Sequence, residues 1–292
     1  AKGMINLHII NPAPFSEDAY KARLYGLEES DGFRGLIGTR DGQTAQRIES
    51  FSVDREPLIE YEISHLITQM LNPEPPAIAL LSGLSPQESI ESLLPELHRH
   101  FDVLELEPSA DHIPPHIKTL MLVHPRRLSE QTLYAVDQFV LGDGKVMMFV
   151  DPMSERQSQE TQSPSPLDGL LASWGVTLQN DKILIDNTYA LPDQHPSTLT
   201  VPRQAMTAND VSTWKLDSVT VSSSGALTPI DESQTRFTPL LSSSRQSALV
   251  RADTLGNEIT ATGERHTIAA RIEGPAYSAF PDGVGERSPG LQ

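Results

Sequence analysis

Apolar residues along this chain follow two spacings. Between residues 77 and 150 they gather in short, nearly unbroken blocks: Ala77-Ile78-Ala79-Leu80-Leu81, Val103-Leu104-Glu105-Leu106, Thr119-Leu120-Met121-Leu122-Val123 and Val146-Met147-Met148-Phe149-Val150. Blocks of this length without regular alternation suit strands buried on both faces, as in a parallel sheet covered by helices. Between the blocks the spacing becomes helical, at Ile90, Leu93, Leu94 and Leu97 and again at Leu133, Val136 and Val140. Ser85, Pro86 and Glu88 give the first helix a cap, a first-turn proline and a capping-box acid, and Ser129 caps the second. Gly142 and Gly144 end the second by tolerating left-handed backbone. The order β-α-β-β-α-β predicts an α/β fold with a largely parallel sheet and helices on both faces. The link 107–118 is too short for a clear helix, with a turn beginning at Ile113-Pro114.

The first 75 residues read differently. Residues 4–10 form a strand by pattern, ended by Asn11-Pro12-Ala13-Pro14. Ser16 caps a short helix with Glu17 and Asp18 in its first turn, where acids suit the helix dipole, and Tyr20, Leu24 and Leu27 give it an apolar face. Turns at Asp31-Gly32 and Asp41-Gly42 frame a strand at 34–39 that pairs with a second near 45–51 as a hairpin. Residues 55–71 make an amphipathic helix, with Ile59, Ile63, Leu66, Ile67 and Met70 inward and Glu60, Glu62 and Gln69 toward water. Asn72-Pro73-Glu74-Pro75-Pro76 then stiffens the chain, because each proline fixes its own φ and restricts its predecessor. These features predict a small N-terminal α/β domain over 1–75, a larger α/β domain over 76–281 and an extended tail over 282–292.

Beyond Asp151-Pro152 the composition turns polar, and 153–166 reads as a mobile surface loop. Leu167 to Trp174 is a short helix closed by Gly175, and Ile183-Leu184-Ile185 a strand ending at Asp186-Asn187. A strand after a glycine-closed helix predicts that the α/β layout continues. Later strands are expected at Val219–Val221, at 237–241 and at 267–272, with the last two able to pair.

Charge and composition narrow the chemistry. The formal net charge is −17, which opposes phosphate backbones and anionic lipid, so nucleic acid is not an expected partner. There is no cysteine, which excludes disulfides, thiol nucleophiles and cysteine metal sites. No apolar run reaches the roughly 18 residues of a membrane span, and no secretory signal pattern is visible. The first and last residues read as those of a fragment, with membrane-spanning segments expected elsewhere in the parent protein. No Gly-Lys-Ser/Thr phosphate loop and no Gly-x-Ser-x-Gly elbow occur, and Gly142-Asp143-Gly144 precedes a strand where a dinucleotide loop would follow one. His112 and His116 have the spacing of a one-face zinc pair, but Pro114 and Pro115 between them break the helix that would present them. No cofactor and no metal are therefore expected. Ligands of open α/β sheets bind at the carboxyl ends of strands, which here selects Ser82, Gly83, His124, Asp151 and Glu155. His124 with Asp151 has the chemistry of an acid–base pair or a weak metal site. The favoured reading of both is structural: each precedes a proline, as in strand-ending turns whose side chains satisfy local backbone groups.

The segment 119–152 also carries a family resemblance. Its centre is His124-Pro125, Leu128-Ser129, then Tyr134-Ala135-Val136-Asp137-Gln138-Phe139-Val140-Leu141, then the Gly-x-Gly strand and Asp151-Pro152. Glu60-Tyr61-Glu62-Ile63, Leu171 with Trp174-Gly175-Val176, Pro239-Leu240-Leu241 with Ser243-Ser244, and Ser278-Ala279-Phe280-Pro281 extend it over roughly residues 5–281. In these stretches the chain resembles the GldG-like family, auxiliary components of gliding-motility-type ABC transport systems. The resemblance implies an inner-membrane protein whose large extracytoplasmic, periplasmic region is represented here. Its partners would be the permease and ATPase subunits of the same system. It implies a flavodoxin-like or class I glutamine amidotransferase-like sheet, and the chain lacks the cysteine nucleophile of the latter. It supplies no catalytic residues. The structural role favoured for Asp137 and Gln138 is to expose polar groups beside the apolar face of their helix, orienting the 124–128 turn or facing a partner domain. The resulting expectation is a non-catalytic binding or scaffold region. The alternatives are a solute-binding component that captures a small polar ligand, or a hydrolase acting on glycan or peptide at the strand ends.

Overall fold

The computed structural model describes residues 5–27, 32–72, 74–84, 93–125, 128–152, 166–192, 194–251 and 260–284. The chain divides into two compact units, Ala1–Pro75 and Pro76–Gln292.

In the first unit, helix α1 (Glu17–Leu24) starts where Ser16 accepts a hydrogen bond from the Ala19 amide. Its buried residues are Ala19 and Ala22, while Tyr20 and Leu24 are exposed. The small side chains let the helix backbone approach its neighbours, so the apolar face is not the one the larger residues mark. Strands β1 (Leu36–Gly38) and β2 (Gln46–Ile48) pair antiparallel, with Ile37 opposite Arg47, as the hairpin pattern predicts. A 3-10 turn (Val53–Leu58) leads into helix α2 (Ile59–Leu71), which packs on that hairpin. Leu66 is buried on α2, and so is Glu62, which the sequence pattern places toward water. Residues 5–10 are not a strand. They have no ladder partner among the described residues, and Ile5, Leu7, Ile9 and Ile10 are exposed. Strand-like alternation needs a neighbouring edge before it becomes a strand.

The second unit opens with a four-stranded parallel sheet built from β3 (Ala77–Ser82), β4 (Asp102–Leu106), β5 (Thr119–Val123) and β6 (Lys145–Phe149), in the spatial order β4-β3-β5-β6. The all-apolar central strands are buried from both sides: Ala79, Leu81, Leu120 and Leu122 on one face, Ile78, Leu80 and Met121 on the other. Helix α3 (Leu94–His100) joins β3 to β4. The helix start read at Ser85, Pro86 and Glu88 lies outside the described residues. Helix α4 (Glu130–Leu141) follows β5, capped by the Ser129 hydroxyl accepting from the Thr132 amide. Leu133 and Val136 of α4 join Leu120, Leu122, Leu167, Leu170 and Trp174 in one core. The left-handed residue after α4 is Asp143 (φ 71), not Gly142 or Gly144. Gly144 is needed for space, because a Cβ there would strike the Phe139 ring.

After helix α5 (Pro166–Ser173) the layout changes, and the expectation of a continuing parallel α/β pattern fails. Strand β7 (Val176–Leu178) lies at the edge of an antiparallel sheet with β11 (Leu227–Pro229), β14 (Thr267–Glu273) and β12 (Arg236–Ser242). Strand β8 (Lys182–Asp186) pairs antiparallel with β13 (Ser247–Arg251), and β9 (Thr198–Pro202) with β10 (Ser218–Ser222). The pairing of 237–241 with 267–272 is present, with Phe237 opposite Ile272 and a bulge between Pro239 and Leu241. The second unit is thus mixed α/β: a parallel sheet followed by small antiparallel sheets. Most of the 153–166 loop lies outside the described residues.

Candidate functional site

The ends of β3, β5 and β6 meet as the sequence places them, and their backbones run in close contact there. The Gly83 amide donates to the Val123 carbonyl at 2.9 Å, and the His124 amide to the Phe149 carbonyl at 2.9 Å. Gly83 lies so close to His124 that a Cβ would collide with the His124 carbonyl oxygen. His124 itself is in the left-handed region (φ 47) and only 6% exposed. The Ser82 hydroxyl accepts from the Leu84 amide at 3.2 Å, a local turn bond. Asp151 is half-buried at the end of β6, and Glu155 lies outside the described residues. The backbones of β3 and β5 are thus in contact where the connections of the sheet diverge and a ligand would enter, and those connections, at 85–92, 126–127 and 153–165, lie outside the described residues. His112 sits in an irregular segment, its Nδ1 2.7 Å from Asp111, and His116 is exposed nearby. Among the described residues no group of three His, Asp or Glu side chains could hold a metal ion.

Two buried carboxylates form the densest polar constructions in the second unit. Asp137 on α4 is fully buried. Its Oδ1 accepts from the Trp174 indole at 3.2 Å, and its Oδ2 from the Ser278 hydroxyl at 2.6 Å. The Ala279 amide reaches Oδ1 at 3.4 Å, and Gln138 Nε2 reaches Oδ2 at 3.3 Å. The Phe280 ring meets Tyr134 edge-on at 5.7 Å. The expectation that Asp137 exposes a polar group is therefore corrected. Position 137 lies on the inner face of α4, and its carboxyl oxygens meet donors from Trp174, just after α5, and from residues 278–279.

Asp186, at the end of β8, is the second. Its Oδ1 accepts from the Ser244 hydroxyl at 2.6 Å and from the Thr188 and Tyr189 amides at 2.9 and 3.2 Å. Its Oδ2 accepts from the Ser244 amide at 2.6 Å. Beside it lie Ser243 and Ser247, both fully buried, and Ser197 and Ser223, also 1% exposed or less, bond to each other nearby at the end of the β9–β10 pair. Ser243 Oγ donates to the Ser244 carbonyl and accepts from the His266 amide at 2.8 Å, and Ser247 Oγ donates to the Ser244 carbonyl at 2.7 Å. His195 Nδ1 lies 2.7 Å from Ser197 Oγ. The His266 ring meets Thr262 at 3.5 Å instead of a serine, and Ser197 is sealed from solvent. Burial holds the His266 imidazole below its usual range, partly offset by Glu264 and Asp186. On the outer side of β14, Arg271 pairs with Asp210 at 2.6 Å. Burial pushes the Asp210 carboxyl up, but bonds from Ser212 and the Arg271 charge outweigh it and leave the group below its usual range.

One open depression of about 280 Å³ occurs elsewhere, lined by Ser173, Asp231, Glu232, Gln234 and Tyr277 among others. The Tyr277 hydroxyl accepts from Gln234 Nε2 at 2.8 Å, and the ring is 65% exposed.

Sequence reading did not single out Asp186, Ser197, Ser223 or Ser247. Their partners are distant in the chain, and nothing in local spacing marks a buried serine. Ser243, Ser244, Asp137, Trp174 and Ser278 did carry a signal, because each lies in a stretch quoted for the family resemblance. The structure gives those stretches a common role in joining elements.

Among the described residues no helix is long and apolar enough to cross a membrane. No curated protein matches the chain. A family described as ABC-type uncharacterized transport system matches residues 75–290, nearly the whole second unit. The chain accordingly belongs to this family and is an auxiliary component of an ABC-type transport system.

Proposed function

We propose that this chain is a non-catalytic scaffold region of its transport system, contacting the permease from the extracytoplasmic side and acting through it on the ATPase subunits, in the manner of the GldG-like branch. The observation that carries the reading is the close backbone approach between β3 and β5, where Gly83 packs on the His124 backbone. The spatial order β4-β3-β5-β6 corresponds to the first four strands of the flavodoxin-type order, in which that crevice is the ligand entrance. With the backbones in contact there, and with Asp137 and Asp186 engaged in bonds that join elements, these polar groups serve the frame. The test is co-purification of the parent protein with the permease and ATPase of its system, followed by ATP hydrolysis by the reconstituted complex. Binding is expected to alter turnover, and His124→Asn, which the left-handed backbone accepts, and Asp151→Asn are expected to leave that effect unchanged. Failure to co-purify removes the scaffold reading. Loss of the effect in a folded His124→Asn or Asp151→Asn variant returns chemistry to the strand ends.

The depression beside Tyr277 favours a second reading, capture of a small polar ligand or glycan. An exposed aromatic ring flanked by carboxylate and amide groups suits a sugar's alternating apolar and hydroxyl faces. Titration with neutral oligosaccharides, following Trp and Tyr fluorescence with Tyr277→Ala as the control, separates it from scaffolding alone.

A further inference from the structure

The two edges of the parallel sheet are built differently. The β4 edge reads Asp102-Val103-Leu104-Glu105-Leu106, and both acids are exposed. Charge on an edge strand deters pairing with another chain. The β6 edge reads Lys145-Val146-Met147-Met148-Phe149 and has no acid, proline or bulge. Met147 is 58% exposed and Phe149 42% exposed, on the same face as Lys145. No strand pairs with the outer side of β6 among the described residues.

Backbone direction fixes how another strand would dock. The Lys145 amide donates to the Lys118 carbonyl, and the Phe149 carbonyl accepts from His124, so residues 145 and 149 bond toward β5. Alternation along a strand then turns the amides and carbonyls of Val146 and Met148 outward. An antiparallel second copy centred on Met147 sets Val146 opposite Met148 and Met148 opposite Val146. Those are the pairs that exchange hydrogen bonds. Met147 then faces its own counterpart in a non-hydrogen-bonded pair, with Cα atoms about 4.5 Å apart. Lys145 faces Phe149 of the second copy, a cation–π arrangement, and lies diagonal to that copy's Asp151. The exposed side chains are thus self-complementary in a register that the outward backbone groups allow. The negative charge of the chain opposes self-association in general, and on this edge a cation and apolar side chains stand in place of acids.

We propose that two copies of this chain associate through β6, antiparallel about a two-fold axis at Met147, joining their parallel sheets into one. Because the chain has no cysteine, a single introduced thiol reports the register cleanly. Met147→Cys is expected to form an intermolecular disulfide under mild oxidation, since the expected separation lies within the roughly 4.4–6.8 Å such bonds span. Leu104→Cys, on the acidic edge, is expected not to. Sedimentation should show mass rising toward two chains with concentration. Met147→Glu should return it to one chain with an unchanged circular dichroism spectrum, since a residue so exposed is dispensable for folding. The proposal is overturned by a chain that stays monomeric at hundreds of micromolar. It is equally overturned by a dimer that survives Met147→Glu, or by a disulfide at Leu104 as ready as that at Met147. A monomer whose Val146 and Met148 amides resist hydrogen exchange would place another part of the same chain on this edge, and would also overturn it.

Discussion

The parallel sheet and the antiparallel region beyond Trp174 hold together by different means. In the first, the buried residues of β3 and β5 are all apolar, and cohesion comes from water excluded around Ala79, Leu81, Leu120 and Leu122 against α4 and α5. In the second, small sheets meet around Asp186 and buried serines, beside the buried apolar residues Ile183, Leu184, Ile185 and Leu199 and a cluster at Val201, Ala205, Met206 and Leu241. Hydrophobic burial is non-directional and tolerates repacking, whereas a buried carboxylate requires each donor in place. The first region is therefore a mass of exchangeable contacts and the second a set of specific ones. The Asp137 cluster lies where they meet: the carboxylate is on α4, and its partners Ser278 and Ala279 follow the last antiparallel strand.

That contrast is most open to attack at Asp186. Asp186→Ala removes the acceptor of four bonds and leaves two buried donors on Ser244 and the amides of Thr188 and Tyr189 without it. Unsatisfied buried donors cost about 1–3 kcal/mol each where they cannot relax, so a loss of about 4 kcal/mol is expected in urea unfolding. Ser244→Ala alone should cost about 1–2 kcal/mol, and the double variant clearly less than the sum, because both act on one network. Strict additivity would show that the region does not depend on the carboxylate and would dissolve the contrast.

Leu122→Ala probes the other side. Leu122 is fully buried between α4 and the sheet, and truncation there should cost about 3 kcal/mol through lost burial and residual cavity. The sharper comparison is with conservative changes. Leu122→Met should cost less than about 1.5 kcal/mol, since apolar cores accept swaps of similar volume. Asp186→Asn is nearly isosteric, yet it should cost more than Leu122→Met, because an amide replaces one acceptor oxygen with a donor facing other donors. Equal losses from these two near-isosteric changes, read from denaturant midpoints at unchanged m-value, would erase the distinction.

The same distinction explains what the sequence disclosed. Strands β3 and β5 were legible because burial on both faces leaves no polar position, and the Ser16 and Ser129 caps because capping is local. The pairing of β12 with β14 was legible from composition, but the antiparallel turn of the fold after Gly175 was not. Strand direction there is set by contacts such as Val176 with Pro229 across some fifty residues. Position 137 has helical spacing consistent with burial, yet an aspartate there reads as surface until Trp174 and Ser278 are placed beside it. At Ala19 and Ala22 the pattern misled in the opposite sense, because Tyr20 and Leu24 look like the better core. For the candidate site, Ser82, Gly83, His124 and Asp151 were found at the correct ends of their strands. Whether those ends leave a crevice depends on a backbone approach at Gly83 that no spacing rule encodes.

The smallest expected effect tests whether the polar region responds to pH where the apolar one does not. Burial lowers the affinity of the folded His266 ring for a proton, outweighing the opposing influence of Glu264 and Asp186. The unfolded chain then binds the proton more readily than the folded one. Stability from this group is complete above the ordinary value of 6.5 and declines as pH falls through it toward the lower folded value. Between about pH 7 and 5, unfolding midpoints of the native chain should therefore fall, and His266→Gln should flatten that slope without moving the pH 7.5 midpoint by more than a few tenths of a kcal/mol. The Asp210 carboxyl, held below its usual range, contributes stability above about pH 4 that is lost only in stronger acid, so the two effects occupy separate windows. A slope that persists unchanged in His266→Gln would place the titrating group elsewhere. A slope of the opposite sign in the native chain would mean the ring gains a partner on folding, in which case His266 belongs with the engaged donors around Asp186 and not at their margin.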